Sequence, residues 1–153
     1  MQSLIKDASV LKILLYRRNR LKTFISEELA KQTDRWEVYS KDELATDTHK
    51  LHVDVEAFRA HCELNESYYR DIEHALHASG QEWIETMYED ILSPPEHVRL
   101  LEFLGVENTD ARLVQSSVKQ SDRNLRTHIE NYQELELALA GSEYLAELYD
   151  YEN

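Results

Sequence analysis

The sequence predicts a mainly α-helical fold with one or two short β-strands. Two observations predict this class. Apolar residues recur at the three- and four-residue spacing of amphipathic helices along most of the 153 residues. The chain also holds only three glycines and two prolines, too few for the many tight turns of an all-β sandwich or barrel. Its length suits one globular domain that spans residues 1–153.

The first predicted element is a strand at residues 11–16, LKILLY. A short, continuous apolar run is typical of a strand that is buried on both faces, as in a parallel sheet. A helical segment is the alternative, and the short length of the run favours the strand. A helix follows, because Asn19 is a suitable N-cap and apolar side chains then share one face: Leu21, Phe24, Ile25 and Leu29.

The middle of the chain predicts a loop, a long helix and a second strand. Residues 33–54 are polar and irregular, which is typical of a long loop. From Val55 to Ala78 the apolar spacing returns and predicts a helix of about six turns, and Gly80 is the usual residue at such a helix end. The run EWIETMYEDI at residues 82–91 is rich enough in β-branched and aromatic residues for a short strand.

The segment Ser93-Pro94-Pro95-Glu96 predicts the start of the next helix. Serine at the N-cap, proline at the first helical position and glutamate at the third form the pattern of a capping box. Gly105 is expected to end this helix. Its predicted buried stripe consists of Val98, Leu101 and Leu104.

A last long helix is predicted to start near Asp122 and to stop at Gly141, with the run SEYLAELY after it as a short helical tail. Large apolar and aromatic side chains again recur at helical spacing. The predicted buried face carries Leu125, Ile129, Tyr132, Leu135 and Leu139.

Charge and cysteine content exclude several classes of protein. The formal net charge of −13 is opposite to that of a nucleic-acid binder, which needs a surplus of Lys and Arg. No apolar run approaches the roughly 20 residues that span a bilayer.

Cys62 is the single cysteine and lies on an apolar stripe, so we expect a buried thiol and a reducing, cytoplasmic location. His74 and His77 share a helix face but lack a third ligand, so no metal site is predicted.

One local cluster of positive charge, Arg17, Arg18, Arg20 and Lys22, lies where the first strand meets the next helix. Here LLYRRNRLKTFIS resembles the strand–turn–helix of sulfotransferases that use 3′-phosphoadenosine-5′-phosphosulfate (PAPS). In that family the strand ends in Arg-Asn, and a serine follows eight residues after the arginine. Further stretches are similar to bacterial members in the same order: ELAKQTDRW, YEDI, LLEFLG and SSVKQSDRNLRTHIENYQEL.

The resemblance implies a nucleotide site and a fold. Arg18 and Ser26 would contact the 3′-phosphate of PAPS or adenosine 3′,5′-bisphosphate, with Asn19 and Arg17 beside them and Lys119 as a further basic residue near that phosphate. A phosphate dianion gains from a bidentate arginine and from the free N–H groups at a helix start. The fold would be the helical remnant of the P-loop-like α/β sulfotransferase fold.

The chain departs from the family where the chemistry takes place. The loop that cradles the 5′-phosphosulfate and the general base both precede the Arg-Asn strand in the family, and no such glycine-rich loop occurs in these residues. We therefore expect no catalytic residues and no sulfonyl transfer by this chain alone. We expect either a homo-oligomer or a missing N-terminal half, because the apolar strand needs neighbours. The alternative function is a non-enzymatic helical interaction or oligomerisation module of the same ancestry.

Overall fold

The computed structural model describes residues 2–36, 50–91, 93–106 and 125–149. These residues are mainly helical and include two short strands. The chain divides into two compact units, one of Met1–Arg18 with Leu64–Gln115 and one of Asn19–Glu63 with Ser116–Asn153. The prediction of a single domain stays a prediction. In chain order the elements are α1 (Gln2–Lys6), β1 (Lys12–Tyr16), α2 (Arg20–Thr33), α3 (Val55–Ser79), β2 (Trp83–Met87), α4 (Pro94–Phe103), a 3₁₀ turn (Leu125–Thr127), α5 (Tyr132–Leu139) and α6 (Leu145–Leu148).

Most of these elements follow the sequence pattern. Both strands, the long helix and the short tail lie where they were predicted, and Gly80 takes the left-handed conformation, with φ of 65°, that ends α3. α1 was not predicted, since its five residues are too few for a periodic signal. The predicted loop at residues 33–54 lies mostly outside the described residues.

In the first unit, β1 and β2 form a two-stranded parallel sheet in the register Lys12↔Trp83 to Tyr16↔Met87. The Tyr88 N–H donates to the Tyr16 carbonyl, so alternate residues of β1 direct their backbone groups toward β2. Ile13 and Leu15 direct theirs away from it. Side chains bind an outward carbonyl on each strand: the Tyr69 hydroxyl donates to Leu15 O at 2.8 Å, and Arg99 donates to Glu85 O.

The predicted burial of β1 on both faces is wrong within the described residues. Ile13 is 37% exposed and Leu15 is 42% exposed, and every side chain of β1 keeps some exposed area. The opposite face of the strand is covered, because the Tyr16 hydroxyl donates to Glu73 and the Tyr16 ring lies 4.5 Å from the Tyr69 ring. A continuous apolar run predicts two covered faces, but the described sheet supplies cover for one.

α4 starts as predicted, with Ser93 at the N-cap and proline at the first helical position, but the capping box does not form. Ser93 makes no side-chain cap bond, and the Glu96 carboxylate turns instead to Arg99 and the buried Thr86 hydroxyl. The hydrogen bonds from Arg99 and then from Thr86 lower the pKa of Glu96 to about 2. The stability that the ionised Glu96 gains from these bonds is therefore present above the ordinary carboxyl pKa and is lost as the pH falls toward 2.

The predicted buried stripe of α4 is also wrong. Leu100 is the buried residue of this helix, while Val98 and Leu104 are exposed and Leu101 is half-buried. The spacing of the apolar residues predicted a helix correctly but placed the wrong residues on its buried face. Leu100 and Leu101 are adjacent, so the spacing alone does not show which of the two leucines is buried.

The second unit has the larger hydrophobic core, which gathers side chains from α2, the start of α3, the 3₁₀ turn, α5 and α6. Phe58 is fully buried at its centre, with its ring 5.7 Å from Phe24 and 5.2 Å from Tyr144. Cys62 is buried in the same core, as predicted.

The predicted last helix is interrupted. Its five apolar residues are all buried as expected, but the described part consists of the 3₁₀ turn, a bridge residue and α5. Ile129 forms a parallel bridge with Leu51, through bonds from Leu51 N to His128 O and from Glu130 N to Leu51 O. Because the Glu130 N–H and the His128 carbonyl both bond Leu51, these backbone groups cannot belong to a continuous helix, and the Asn131 side chain then bonds both backbone groups of Val53.

Candidate functional site

The predicted site residues fall in both units. Arg17 and Arg18 belong to the first unit, whereas Asn19 and Ser26 belong to the second. Lys119 lies outside the described residues.

Arg18 follows β1 and forms an ion pair with Asp90. Nη1 of Arg18 lies 3.0 Å from Oδ1 of Asp90, and Nη2 bonds the other carboxylate oxygen, which gives a bidentate pair. The two side chains are 54% and 44% exposed. The Arg18 backbone N–H also lies 3.2 Å from both carboxylate oxygens of Glu89. Carboxylates thus already bind the arginine that the resemblance assigns to a phosphate.

Arg17 stacks on an aromatic ring in the same unit. Its guanidinium carbon lies 4.8 Å from the centre of the Tyr88 ring. The Nε atom is buried and has no hydrogen-bond partner within the described part of the chain. The contact with the Tyr88 ring therefore keeps the Arg17 guanidinium beside the end of β1.

Asn19 is buried and caps α2. Its side-chain oxygen accepts from the Lys22 N–H at 2.7 Å, and its Nδ2 donates to the Glu147 carbonyl at 2.7 Å. The predicted N-cap is confirmed. Both ends of the Asn19 amide are thus engaged within the protein, and the residue holds α6 against the start of α2.

The first turn of α2 binds a carboxylate, that of Glu147. One carboxylate oxygen accepts from the Leu21 N–H at 2.9 Å, and the other accepts from Nε of Arg20 at 2.9 Å. Glu143 also lies 3.2 Å from Arg20, and the Arg20 guanidinium stacks at 4.5 Å on the Tyr144 ring. Burial acts to lower the pKa of Arg20, but the bonds and charges of Glu147 and then Glu143 outweigh it and raise that pKa.

This arrangement is the anion site that physical chemistry predicts at a helix start, where unpaired N–H groups and the helix dipole favour negative charge. Sequence reasoning found the bases but missed Glu147. The only available signal was a surplus of acidic residues at the C-terminal end of the chain, and it does not single out one of them.

Ser26 lies two turns into α2 and is half-buried. Within the described residues its hydroxyl makes no hydrogen bond, in contrast to Thr23, which donates to the Asn19 carbonyl at 3.1 Å.

The first unit also has an open groove of about 550 Å³ beside β2. Three carboxylates and one guanidinium line it, together with the rest of β2: Glu85, Asp90, Glu96 and Arg99. This excess of negative charge would repel a phosphate, so we do not assign the nucleotide to the groove.

No protein family model, curated protein sequence or solved structure matches this chain. Across the four described segments, no group of three or more His, Cys, Asp or Glu side chains is placed to hold a metal ion. Within the same segments, every helix is too short or too polar to cross a membrane.

Proposed function

We propose that the chain is a sulfotransferase-like domain that binds a nucleotide with a 3′-phosphate, either PAPS or adenosine 3′,5′-bisphosphate, and does not transfer the sulfonyl group by itself. The proposed residues are Arg17, Arg18, Asn19, Ser26 and Lys119. The observation that carries the proposal is the start of α2, where the Leu21 N–H and Arg20 bind a carboxylate in a protein of net charge −13. The local field there favours an anion against the charge of the whole chain.

The ion pair of Arg18 does not oppose this proposal. Exposed pairs contribute only about 0–1 kcal/mol to stability, because water and salt screen them and two side chains lose freedom. A phosphate dianion offers Arg18 more negative charge than Asp90 does, in the same bidentate geometry. Loss of the ion pair itself is therefore inexpensive, and the exchange requires the Asp90 and Glu89 carboxylates to turn away from the phosphate that replaces them.

Arg18→Ala is expected to weaken binding of adenosine 3′,5′-bisphosphate by about tenfold, the loss of one charge-assisted contact of roughly 1.5 kcal/mol. Adenosine 5′-monophosphate lacks the 3′-phosphate, so its weaker binding should not change. Isothermal titration of both nucleotides measures the difference.

Arg59→Ala is the matched control, because Arg59 is also an exposed arginine paired with a carboxylate, that of Glu56 at 3.1 Å. It should leave both affinities unchanged. Equal binding of the two nucleotides by the wild-type protein, or an Arg18→Ala protein that binds like the wild type, would contradict the proposed function.

A second candidate function is self-association through the uncovered face of β1. The observation that favours it is the exposure of Ile13 and Leu15, which lie side by side on the face of the strand opposite Tyr16. Exposed apolar side chains grouped in this way mark interaction surfaces more often than isolated ones do. A second copy of the chain would cover them by packing the same two side chains against its own.

We expect the protein to be a dimer or higher oligomer at micromolar concentration and Leu15→Lys to shift it toward the monomer, because a buried lysine would be unpaired in that interface. Sedimentation velocity measures both states. Leu137→Lys, at an exposed site on α5, is the control and should leave the oligomer intact. An 18.0 kDa monomer throughout the micromolar range would rule out this candidate.

A further inference from the structure

We infer that a second copy of the chain covers β1 with its α4 as well as with its own β1, so that α4 of each copy packs beside Ile13 and Leu15 of the other. This inference rests on self-association, the second candidate function, and names the part of the partner that completes the interface. The surfaces that carry it are the uncovered face of β1 and one flank of α4, both in the first unit.

The first unit buries little of its apolar surface by itself. Among the residues that the structure describes, Leu76 and Leu100 are the only buried apolar side chains of this unit, whereas the larger core lies wholly in the second unit. A two-stranded sheet is marginally stable unless further strands or helices cover it. The exposed apolar side chains of the first unit therefore gain most from cover by another chain.

α4 covers one face of the sheet over β2 only. Thr86 is paired with Leu15 in the parallel register, so the two side chains lie on the same face of the sheet. On β2 this face is closed, because Thr86 is buried and its hydroxyl donates to the Glu96 carboxylate of α4. On β1 the same face is open, since Ile13 and Leu15 are exposed. Within the described residues, this layer therefore holds one helix where two strands require cover.

The flank of α4 nearer to β1 is apolar and partly exposed. Arg99 shows the orientation of the helix, because it reaches the Glu85 carbonyl at the outer edge of β2. Successive residues are about 100° apart around a helix, and the buried Leu100 lies between Arg99 and Leu101. Leu101 is therefore on the flank opposite Arg99, toward β1, together with Leu104 just after the helix. Leu101 is half-buried and Leu104 is 42% exposed, so this flank adds apolar surface to that of β1.

A two-fold axis joins these two surfaces into one interface. When Ile13 and Leu15 of both copies meet in the middle, one α4 lies on either side of them, because α4 stands only on the β2 side of each sheet. Each α4 then lies over the part of the partner's β1 that its own chain leaves open. The contact is isologous: Leu104 of one copy meets Leu15 of the other, and symmetry repeats the contact.

The charges of the first unit favour a second copy as the partner. Residues 1–18, which contain β1, hold four Lys and Arg and one Asp, whereas residues 82–106, which contain β2 and α4, hold six Asp and Glu and one Arg. The reciprocal contact brings the basic segment of each copy to the acidic segment of the other. Opposite charges across an interface steer association, and here they offset the repulsion between two chains of net charge −13.

Leu104→Lys is expected to shift the oligomer toward the monomer, as Leu15→Lys does, and to raise the dissociation constant about tenfold or more. The lysine would lie against the apolar strand of the partner without a counter-charge. Sedimentation velocity measures the shift, circular dichroism checks that the variant folds, and Leu137→Lys remains the control.

Cysteine cross-linking tests the contact itself. Leu15→Cys and Leu104→Cys proteins are prepared separately, mixed and treated with a short bismaleimide, so that a link between the two positions can form only between copies. We expect this mixed dimer, identified by mass spectrometry of the linked peptides. Leu15→Cys mixed with Leu137→Cys is the control and should give no mixed dimer. The buried Cys62 is retained in every protein.

The outcomes separate the inference from self-association. A wild-type monomer throughout the micromolar range overturns both. An oligomer that Leu15→Lys dissociates, but in which positions 15 and 104 give no mixed cross-link and Leu104→Lys has no effect, overturns the inference and leaves self-association standing. If Leu104→Lys does not fold, the cross-link alone decides: its formation supports the inference, and its absence overturns it.

Discussion

Phe58→Ala is expected to lower the free energy of unfolding of the second unit by about 3–5 kcal/mol, the usual cost of removing a fully buried phenylalanine. Phe58 has no exposed surface, and its ring meets Phe24 and Tyr144 edge-on at 5.7 and 5.2 Å. Alanine would leave a cavity between α2, α3 and the segment before α6. Denaturation with urea, followed by circular dichroism, measures the change.

Leu137→Ala is the control for Phe58→Ala, because Leu137 lies in the same unit and is 78% exposed. It should change the free energy of unfolding by less than about 0.5 kcal/mol. A loss below about 1 kcal/mol for Phe58→Ala would mean that this core is loosely packed and that the aromatic contacts do not hold the unit together.

Asn19→Ala is expected to cost about 2 kcal/mol of stability, whether or not nucleotide is present. The loss combines an N-cap, typically about 1 kcal/mol, with the Glu147 carbonyl that would lose its side-chain donor. Thermal unfolding with and without adenosine 3′,5′-bisphosphate measures it.

Asn19→Ser separates the two contributions, since serine keeps the cap oxygen and lacks the amide donor. It should recover about half of the lost stability. An Asn19→Ala protein that is as stable as the wild type would contradict this structural role of Asn19.

The sequence predicted those parts of the fold that depend on short-range signals. Asn19 caps the helix that follows it, Gly80 ends α3, and the spacing around Phe58 and Cys62 placed both in the core. Each of these signals is contained in one or two helical turns, where the side chain and the backbone it affects are close in the chain.

Two errors arise where another residue competes for the same group. Glu96 was expected to cap its own helix, but its carboxylate binds Thr86, in the preceding strand, and Arg99, one turn further along the same helix. The last helix is broken at Ile129 because Leu51, 78 residues away in the chain, offers a backbone partner. No local pattern records the pair of Leu51 and Ile129, and the pattern of a capping box does not show that Glu96 has other partners nearby.

At the candidate site too, the sequence predicted the local features and missed the contacts made by residues from other segments. The cluster of bases at the end of β1 and the start of α2 was evident from the sequence, and so was the preference of that place for an anion. That Asp90 and Glu147 bind two of those bases was not evident, because these carboxylates come from segments 72 and 127 residues further along the chain.

Two helical side chains bind outward carbonyls of the sheet and so limit how the protein could assemble. Tyr69 of α3 donates to Leu15 O on β1, and Arg99 of α4 donates to Glu85 O on β2. An incoming strand needs free carbonyls along an edge, and here one acceptor on each edge is already taken. Strand-by-strand growth into fibres is therefore disfavoured at both edges, and the shortness of the two strands disfavours it further. Of the assemblies expected at micromolar concentration, the face of β1 by itself would give the dimer, since a face that covers its own copy offers no surface to a third chain.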